Sequence, residues 1–505
     1  MLFSFLDKAA RLRPDRIAVV APGVRWTYSE LHHRSLRLAR AFLDLSLEPG
    51  DRVAVLSPND PAFLECYFAA AAAGLVLVPL NVRLAPPELE EILADAGART
   101  LVVHPDVAER VKCEVEHVVP IGLAFEAAIE GATDGPLPAR PAESDPAQIY
   151  YTSGTTGRPK GVILTHGNVA SHALGTIAEL KLDDADVWGH VAPLYHLADA
   201  WATFAITLAG GTHVVMPRFD PAEVLAAFRE TGVTITNLIP TMLSDLVHHP
   251  DADGGLPAFR TVMSGGAPVA PSLVRKAMDA FGCEFVQTYG LTETSPYLTM
   301  SLLREDQRGL SEEAQFAIRC RTGREFVTVE LRVVRPDGTD VAADDEEVGE
   351  IRARGPSVTA GYWNRPVATA SAFDGEWLKT GDLATIDGSG SVNIVDRMRD
   401  MIITGGENVY STEVEHVLHE IRGVREVAVV GAPDDRWGEI VTAVISAAPG
   451  ADVTEQTIRD HCAGRLADFK IPRRVEFLEN LPRTGSGKIA KRVIREGLAG
   501  MLDSS

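Results

Sequence analysis

The feature that most constrains the fold is a repeated exchange between short apolar runs and helical stretches. Asp51-Arg52-Val53-Ala54-Val55-Leu56-Ser57 reads as a short buried strand that stops at the turn Pro58-Asn59-Asp60. Residues Pro61 to Ala73 then read as a helix, Leu75 to Leu80 as a strand, Pro86 to Ala96 as a helix and Leu101 to Val103 as a strand. Upstream lie an amphipathic helix, a strand at Ile17 to Val20, and a second helix start where Thr27 is the cap and Glu30 stands at capping-box spacing. Downstream the pattern continues through Thr212 to Met216, Ile235 to Ile239 and Thr261 to Ser264, each ending in Gly, Pro or polar residues. Strands alternating with helices imply a parallel, doubly wound sheet, whose strands present their carboxyl ends to ligands.

From about Thr328 the texture changes. Val329 to Val334, the turn Pro336-Asp337-Gly338 and Glu350 to Arg354 alternate apolar with polar residues, as antiparallel strands do. A second break falls at Asp396-Arg397-Met398-Arg399-Asp400. Beyond it, helices at Ser411 to Glu420 and Thr454 to Leu466 and strands at Glu426 to Val430 and Val441 to Ser446 describe a small α+β region. A chain of 505 residues exceeds one core, so the expected division is 1–396, with its antiparallel part at about 328–396, and 397–505.

A net charge of -22 argues against non-specific nucleic-acid binding. The five cysteines (Cys66, Cys113, Cys283, Cys320, Cys462) are scattered without ligand spacing and read as reduced thiols of a cytoplasmic protein. The N-terminus lacks a signal peptide's basic start and long apolar core. The longest apolar run, Tyr67 to Leu80, contains Gly74 and Pro79 and suits a buried helix-to-strand passage, not a membrane span.

Chemistry concentrates first at Tyr151-Thr152-Ser153-Gly154-Thr155-Thr156-Gly157-Arg158-Pro159-Lys160-Gly161. Its glycines admit a ligand close to the backbone, successive N–H groups make an anion nest, the hydroxyls donate, and Lys160 adds charge. It is not the Walker loop, which opens a helix after Gly-Lys-Ser/Thr; here a strand follows. A plain surface loop is the bland alternative. Five further stretches carry weaker signals. Gly265-Gly266-Ala267-Pro268 follows a strand and either lets a flat group approach or is simply a tight turn. Tyr289-Gly290-Leu291-Thr292-Glu293 offers an aromatic face, a hydroxyl and a carboxylate suited to phosphate-bound Mg²⁺. Thr380-Gly381-Asp382 presents a carboxylate for ribose hydroxyls or for its own turn. The cluster at Asp396 to Asp400, before Thr404-Gly405-Gly406-Glu407-Asn408, is a functional hinge or a solvated charge run. Arg483-Thr484-Gly485-Ser486-Gly487-Lys488-Ile489 presents one lysine on a loop.

Together, and in this order from Trp26 to Lys488, these motifs resemble the acyl-adenylate-forming enzyme superfamily, which includes acyl-CoA synthetases, luciferases and the adenylation domains of peptide synthetases. Gln287 to Pro296 and the helical Leu310-Ser311-Glu312-Glu313 segment resemble medium- and long-chain fatty acyl-CoA synthetases. The resemblance implies a large α/β N-terminal domain of doubly wound sheets with a small distorted β-barrel, and a small mobile α+β C-terminal domain. It implies that ATP and a carboxylic acid give acyl-AMP and pyrophosphate, and that coenzyme A then displaces AMP. By resemblance, Thr152, Ser153, Gly154, Thr155, Thr156, Gly157 and Lys160 hold the β- and γ-phosphates. Thr292 contacts the α-phosphate, and Glu293 with Thr152 holds Mg²⁺. Gly265 to Pro268, Tyr289 and Gly290 flank adenine, while Asp382 and Arg397 hold the ribose. Lys488 bridges acid and α-phosphate, Arg399 and Asp400 form the pivot, and Gly405, Gly406 and Asn408 serve coenzyme A and adenosine.

Pro193-Leu194-Tyr195-His196 matches the segment bordering acid and coenzyme A entry; His196 is a gate there, or a packed histidine. Trp201, Asn237 and Leu238 are expected pocket walls. The absence of Arg or Lys from Asn237 to Met242 favours a hydrophobic acid, fatty or bulky, over malonate or an amino acid. Ile403 and Asn408 stand where some fatty acyl-CoA synthetases carry lysine and tryptophan. Two other readings are an adenylate-forming ligase serving a separate acceptor and a nucleotide-binding module without turnover. The expected partners are the acid, ATP and coenzyme A, with a homodimer allowed and neither nucleic acid nor a membrane span.

Overall fold

Local chemistry writes many element ends. Thr27 caps the helix Tyr28–Asp44: its hydroxyl accepts from the Glu30 N–H while Glu30 Oε2 accepts from the Thr27 N–H at 2.7 Å. The Asp60 carboxylate caps Pro61–Ala73, and Gly74 ends that helix in the left-handed region. Every residue of Pro61–Ala73 is buried, as its unbroken apolar character requires. The computed structural model describes residues 1–153, 159–267, 269–434, 436–484 and 488–502. It divides into two compact units, residues 1–331 with 353–378 and residues 332–352 with 379–505.

The first unit holds two sheets. In one, strands lie in the order Gly323–Glu325, Tyr297–Met300, Glu284–Gly290, Thr261–Gly265, Ile235–Leu238, Val187–His190, Thr212–Val215, Ile17–Ala21 and Val24–Thr27. Its central neighbours, from Glu284–Gly290 to Ile17–Ala21, pair in parallel, and antiparallel pairs close both ends. In the other, Gly361–Tyr362, Pro159–Thr165, Pro146–Ser153, Val76–Leu80, Arg52–Leu56, Ala98–Val103 and His117–Pro120 lie in that order. The parallel α/β pattern therefore holds through both sheet centres. Two connections break it: the strands flanking the phosphate stretch form an antiparallel hairpin, and Gly361–Tyr362 adds to that hairpin's far edge.

Strands Glu330–Val334, Gly349–Arg354, Trp377–Ile386 and Ser391–Arg397, whose greater part belongs to the second unit, lie side by side as the antiparallel texture predicts. The second unit also has its own sheet, Glu407–Val409, Ile402–Thr404, Gly438–Ala447 and Val424–Asp434, with Arg474–Phe477 paired to Gly438–Ala447. Helices Ser411–His419 and Glu455–Cys462 bury Val414, Leu418 and Ile458 in a core with Val427, Val429, Val441, Ala443 and Ile445. Among the described residues no helix is long and apolar enough to cross a membrane.

Candidate active site

The hairpin carries the hydroxyl- and glycine-rich stretch at its tip. Thr152 stands opposite Lys160 and Ser153 opposite Pro159; Gly154, Thr155, Thr156, Gly157 and Arg158 lie outside the described residues. A strand on each side means that no helix N-terminus backs this loop, as its sequence implies. The third strand, Gly361–Tyr362, brings a residue the sequence does not advertise. The Tyr362 hydroxyl donates to Glu293 Oε1 at 2.9 Å, and the Lys160 ammonium lies 5.3 Å from the Tyr362 ring centroid. Burial and the Glu293 carboxylate push the Tyr362 phenol up, so it stays protonated and remains a donor.

Glu293 itself sits in the one-turn 3₁₀ helix Thr292–Thr294. Its carbonyl accepts from the Thr359 N–H at 2.7 Å, while the Thr359 hydroxyl donates to the Ile163 carbonyl at 2.5 Å. The 146–165 hairpin, the Glu293 turn and the 359–363 segment are thus tied into one structure. Tyr289 and Gly290 end the strand leading to this turn. Gly290 is required by close approach, because a Cβ there would lie 1.8 Å from the Pro296 carbonyl oxygen. Gly265 ends the neighbouring strand; Gly266 and Ala267 beyond it are exposed, and Pro268 lies outside the described residues. The chemistry of Glu293 and Thr152, a carboxylate and a hydroxyl, both hard oxygen ligands, fits a Mg²⁺ that would arrive with phosphates.

The segment around Leu194, Tyr195 and His196 is locked from two directions. Asn59 donates to the carbonyls of His190 and Ala192 at 3.1 and 2.9 Å and accepts from the Leu194 N–H at 2.7 Å. The Tyr67 hydroxyl donates to the Leu194 carbonyl at 2.9 Å and lies 2.8 Å from that of Tyr150, in the strand leading to the phosphate loop. On the other side Asp199, fully buried, accepts from Trp188 Nε1 at 3.1 Å and pairs with His190 Nδ1 at 2.5 Å. His190 Nε2 meets His213 Nδ1 at 2.9 Å, and His213 Nε2 meets the Thr207 hydroxyl at 2.9 Å. Burial, then the neighbouring His190, holds His213 neutral. Between these anchors Tyr195 and His196 lie with ring centroids 5.1 Å apart, and His196 stands at the start of the short helix Leu197–Ala200.

Trp201 is packed among Trp188, Tyr297 and His172 at 4.8, 5.4 and 5.7 Å between ring centroids. The expected walls Asn237 and Leu238 are not brought together. Adjacent strand residues face opposite sides of a sheet: Leu238 packs with Val262 and Phe285, whereas Asn237 shares the face of Met263.

In the second unit Asp382 and Arg397 stand opposite each other on paired strands, and their side chains form an ion pair at 3.1 Å. Asp382 is buried, with Gly381 in the left-handed region before it. The Lys488 carbonyl accepts from the Thr484 N–H at 2.7 Å, and Arg483 pairs with Ile489; Gly485, Ser486 and Gly487 lie outside the described residues. Lys488 is an exposed residue, yet protein crowds the surroundings of its ammonium enough that its pKa is pushed down to about 8. Burial is the larger cause; Arg397 and Arg399 push the same way, Asp382 opposes them, and solvent contact screens the charges.

The charge run at 396–400 is held at its two ends, while Met398 and Arg399 within it are exposed. Buried Asp396 accepts from Ser411 Oγ at 3.0 Å, Lys491 pairs with Glu415 at 2.7 Å beside it, and Arg495 pairs with Asp400. Gly405 and Gly406 both have positive φ, 61° and 89°, in the two-residue turn between Ile402–Thr404 and Glu407–Val409. Asn408 pairs with Ile403 just beyond that turn, and both are exposed.

Comparison with known proteins assigns the class. The family model "AMP-binding enzyme" matches residues 6–363, and "AMP-binding enzyme C-terminal domain" matches residues 413–488. The chain is 40% identical over 496 residues to a feruloyl-CoA synthase of Amycolatopsis sp, covering 98% of each. It is 36% identical over 503 residues to the long-chain-fatty-acid–CoA ligase FadD13 of Mycobacterium tuberculosis, covering 97% of each. The crystal structure of ATP-bound MatB from Rhodopseudomonas palustris matches with a TM-score of 0.89 at 31% identity, over 99% of both chains. The chain belongs to the AMP-binding enzyme family. Within it the chain is an AMP-forming acid–CoA ligase, using ATP, Mg²⁺ and coenzyme A to make an acyl-CoA.

Proposed function

We propose that the acid is an aromatic monocarboxylic acid of the hydroxycinnamate kind. The carrying observation is the buried cluster of aromatic rings, Trp201 with Trp188, Tyr297 and His172, that follows the His196 segment in the fold. The 40% identity to a feruloyl-CoA synthase supports it. A long-chain fatty acid is the second reading, favoured by the FadD13 relationship.

In this proposal the hairpin loop grips the β- and γ-phosphates and retains them as the leaving pyrophosphate. Thr292 donates to the α-phosphate, and Glu293, oriented by Tyr362, holds Mg²⁺ with Thr152. That ion supplies charge stabilisation at the α-phosphorus. Tyr289, Gly290 and Gly265 to Pro268 border adenine; Asp382 accepts from the ribose hydroxyls, with Arg397 beside it. Lys488 as ammonium offsets the charge that accumulates when the carboxylate attacks. Neither step needs a covalent enzyme intermediate, so positioning carries most of the rate. Tyr195 and His196 border the acid carboxylate, Gly405, Gly406 and Asn408 serve the coenzyme A step, and the C-terminal region from 397 turns about Arg399 and Asp400 between steps. A cytoplasmic location and a homodimer belong to the same proposal.

The test is pyrophosphate release with ferulate, palmitate and malonate, with and without coenzyme A, followed by mass detection of the thioester. Ferulate turnover to its thioester at the highest kcat/KM is expected. Preference for palmitate overturns the aromatic reading, and release without thioester points to a different acceptor.

A further inference from the structure

Asn237 is 3% exposed, yet its two polar atoms are treated differently. Nδ2 donates to the Ala198 carbonyl at 3.0 Å, which fixes the side chain's orientation. Oδ1 is buried and has no hydrogen-bond partner among the described residues. An unmet buried acceptor costs about 1–3 kcal/mol, so such atoms are uncommon and call for a physical reason. The Ala198 carbonyl also accepts from Trp201 Nε1 at 3.0 Å. One carbonyl therefore holds both the Asn237 amide and the Trp201 indole. Asn237 lies near the carboxyl end of its strand, where α/β sheets bind ligands. It pairs with Met263, and the next residue on that face of the neighbouring strand is Gly265, where a Cβ would lie 2.5 Å from the Thr288 carbonyl oxygen and hydroxyl.

We infer that Asn237 Oδ1 is a specificity determinant that accepts a hydrogen bond from a neutral donor on the acid, a ring hydroxyl. This rests on the aromatic reading above. A neutral donor suits the site better than an ammonium: Asp199, next to Ala198 in the chain, already receives Trp188 Nε1 and His190 Nδ1 on its two oxygens. A site built to bond a hydroxyl rejects the analogue lacking it far more strongly than an apolar pocket rejects a missing methylene.

The experiment compares ferulate with 3-methoxycinnamate, which lacks the hydroxyl, and with 3,4-dimethoxycinnamate, which carries acceptors only, in the full-length enzyme and in Asn237→Leu. The wild type is expected to favour ferulate over both by about tenfold or more in kcat/KM. Asn237→Leu is expected to bring the ratio to 3-methoxycinnamate within about threefold, chiefly by losing ferulate, with 3-methoxycinnamate turnover retained as the sign of an intact fold. Should that variant not fold, Asn237→Ala takes its place with the same expected loss of discrimination. Aromatic turnover without discrimination overturns the inference, as does unchanged discrimination in Asn237→Leu, which would mean an internal water satisfies the oxygen. Turnover of palmitate with no aromatic acid used overturns the aromatic reading itself, and the inference with it.

Discussion

The Glu293 carboxylate depends on a tyrosine 69 residues downstream, and that dependence is measurable. Tyr362→Phe removes the donor to Oε1 without changing shape. A hydrogen bond to a charged group contributes about 1.5–3 kcal/mol, so kcat for acyl-AMP formation is expected to fall about tenfold or more. Thioester formation from supplied acyl-AMP is expected to stay unchanged, and pyrophosphate release against Mg²⁺ concentration reads the loss of ion affinity. Lys488 gives a second prediction at this scale. With its pKa pushed down to about 8, the ammonium is present below that pH and lost above it. The kcat/KM for adenylation is therefore expected to fall as pH rises through about 8. Arg399→Gln removes one repelling cation and is expected to move that limb to higher pH; an unmoved limb would assign the titration to another group.

Among elements, the Gly405–Gly406 turn separates two explanations of one motif. Both glycines are needed for the hairpin whatever ligand passes by, since both have positive φ. A Cβ on Gly405 would meet the Trp437 ring at 2.7 Å, whereas one on Gly406 meets nothing within 4 Å. Gly405→Ala is expected to destabilise by about 1–2 kcal/mol, and Gly406→Ala by less, in urea unfolding followed through the second unit's tryptophan. Equal effects would contradict this account. In the first unit, Tyr67 joins the strand of Tyr150 to the segment bearing Tyr195 and His196. Tyr67→Phe leaves the Leu194 carbonyl without that donor and is expected to lower stability by about 1–3 kcal/mol, read as a lower urea midpoint.

Across the whole molecule, the proposed division of labour is between a unit carrying Glu293 and a unit carrying Asp382, Arg397 and Lys488. Lys488→Ala is expected to block acyl-AMP formation while sparing thioester formation from supplied acyl-AMP. Equal loss of both half-reactions would contradict the assignment of Lys488 to the first step alone. At the proposed pivot, Arg495 pairs with Asp400 and donates to the Arg399 carbonyl at 2.7 Å, joining the last helix to that segment.

Sequence alone determined what depends on neighbours along the chain. The helix Pro61–Ala73 begins and ends where Asp60 and Gly74 place it, and the Thr27–Glu30 capping box forms as spaced, because caps and left-handed ends are local. The alternation of buried runs with helices was likewise enough for the α/β sheets and, with the ordered motifs, for the family. Tertiary structure decided the partnerships. Nothing near Glu293 announces Tyr362, nothing near Leu194 announces Tyr67, and nothing in the charge run at 396–400 announces that Ser411 and Arg495 meet its two end carboxylates. Asn237 and Leu238 look equivalent as neighbours, yet the pleat sends them to opposite faces, and only the packing around Ala198 leaves one amide oxygen unmet. Such contacts join residues far apart in sequence, so the folded backbone, not local propensity, determines which groups meet.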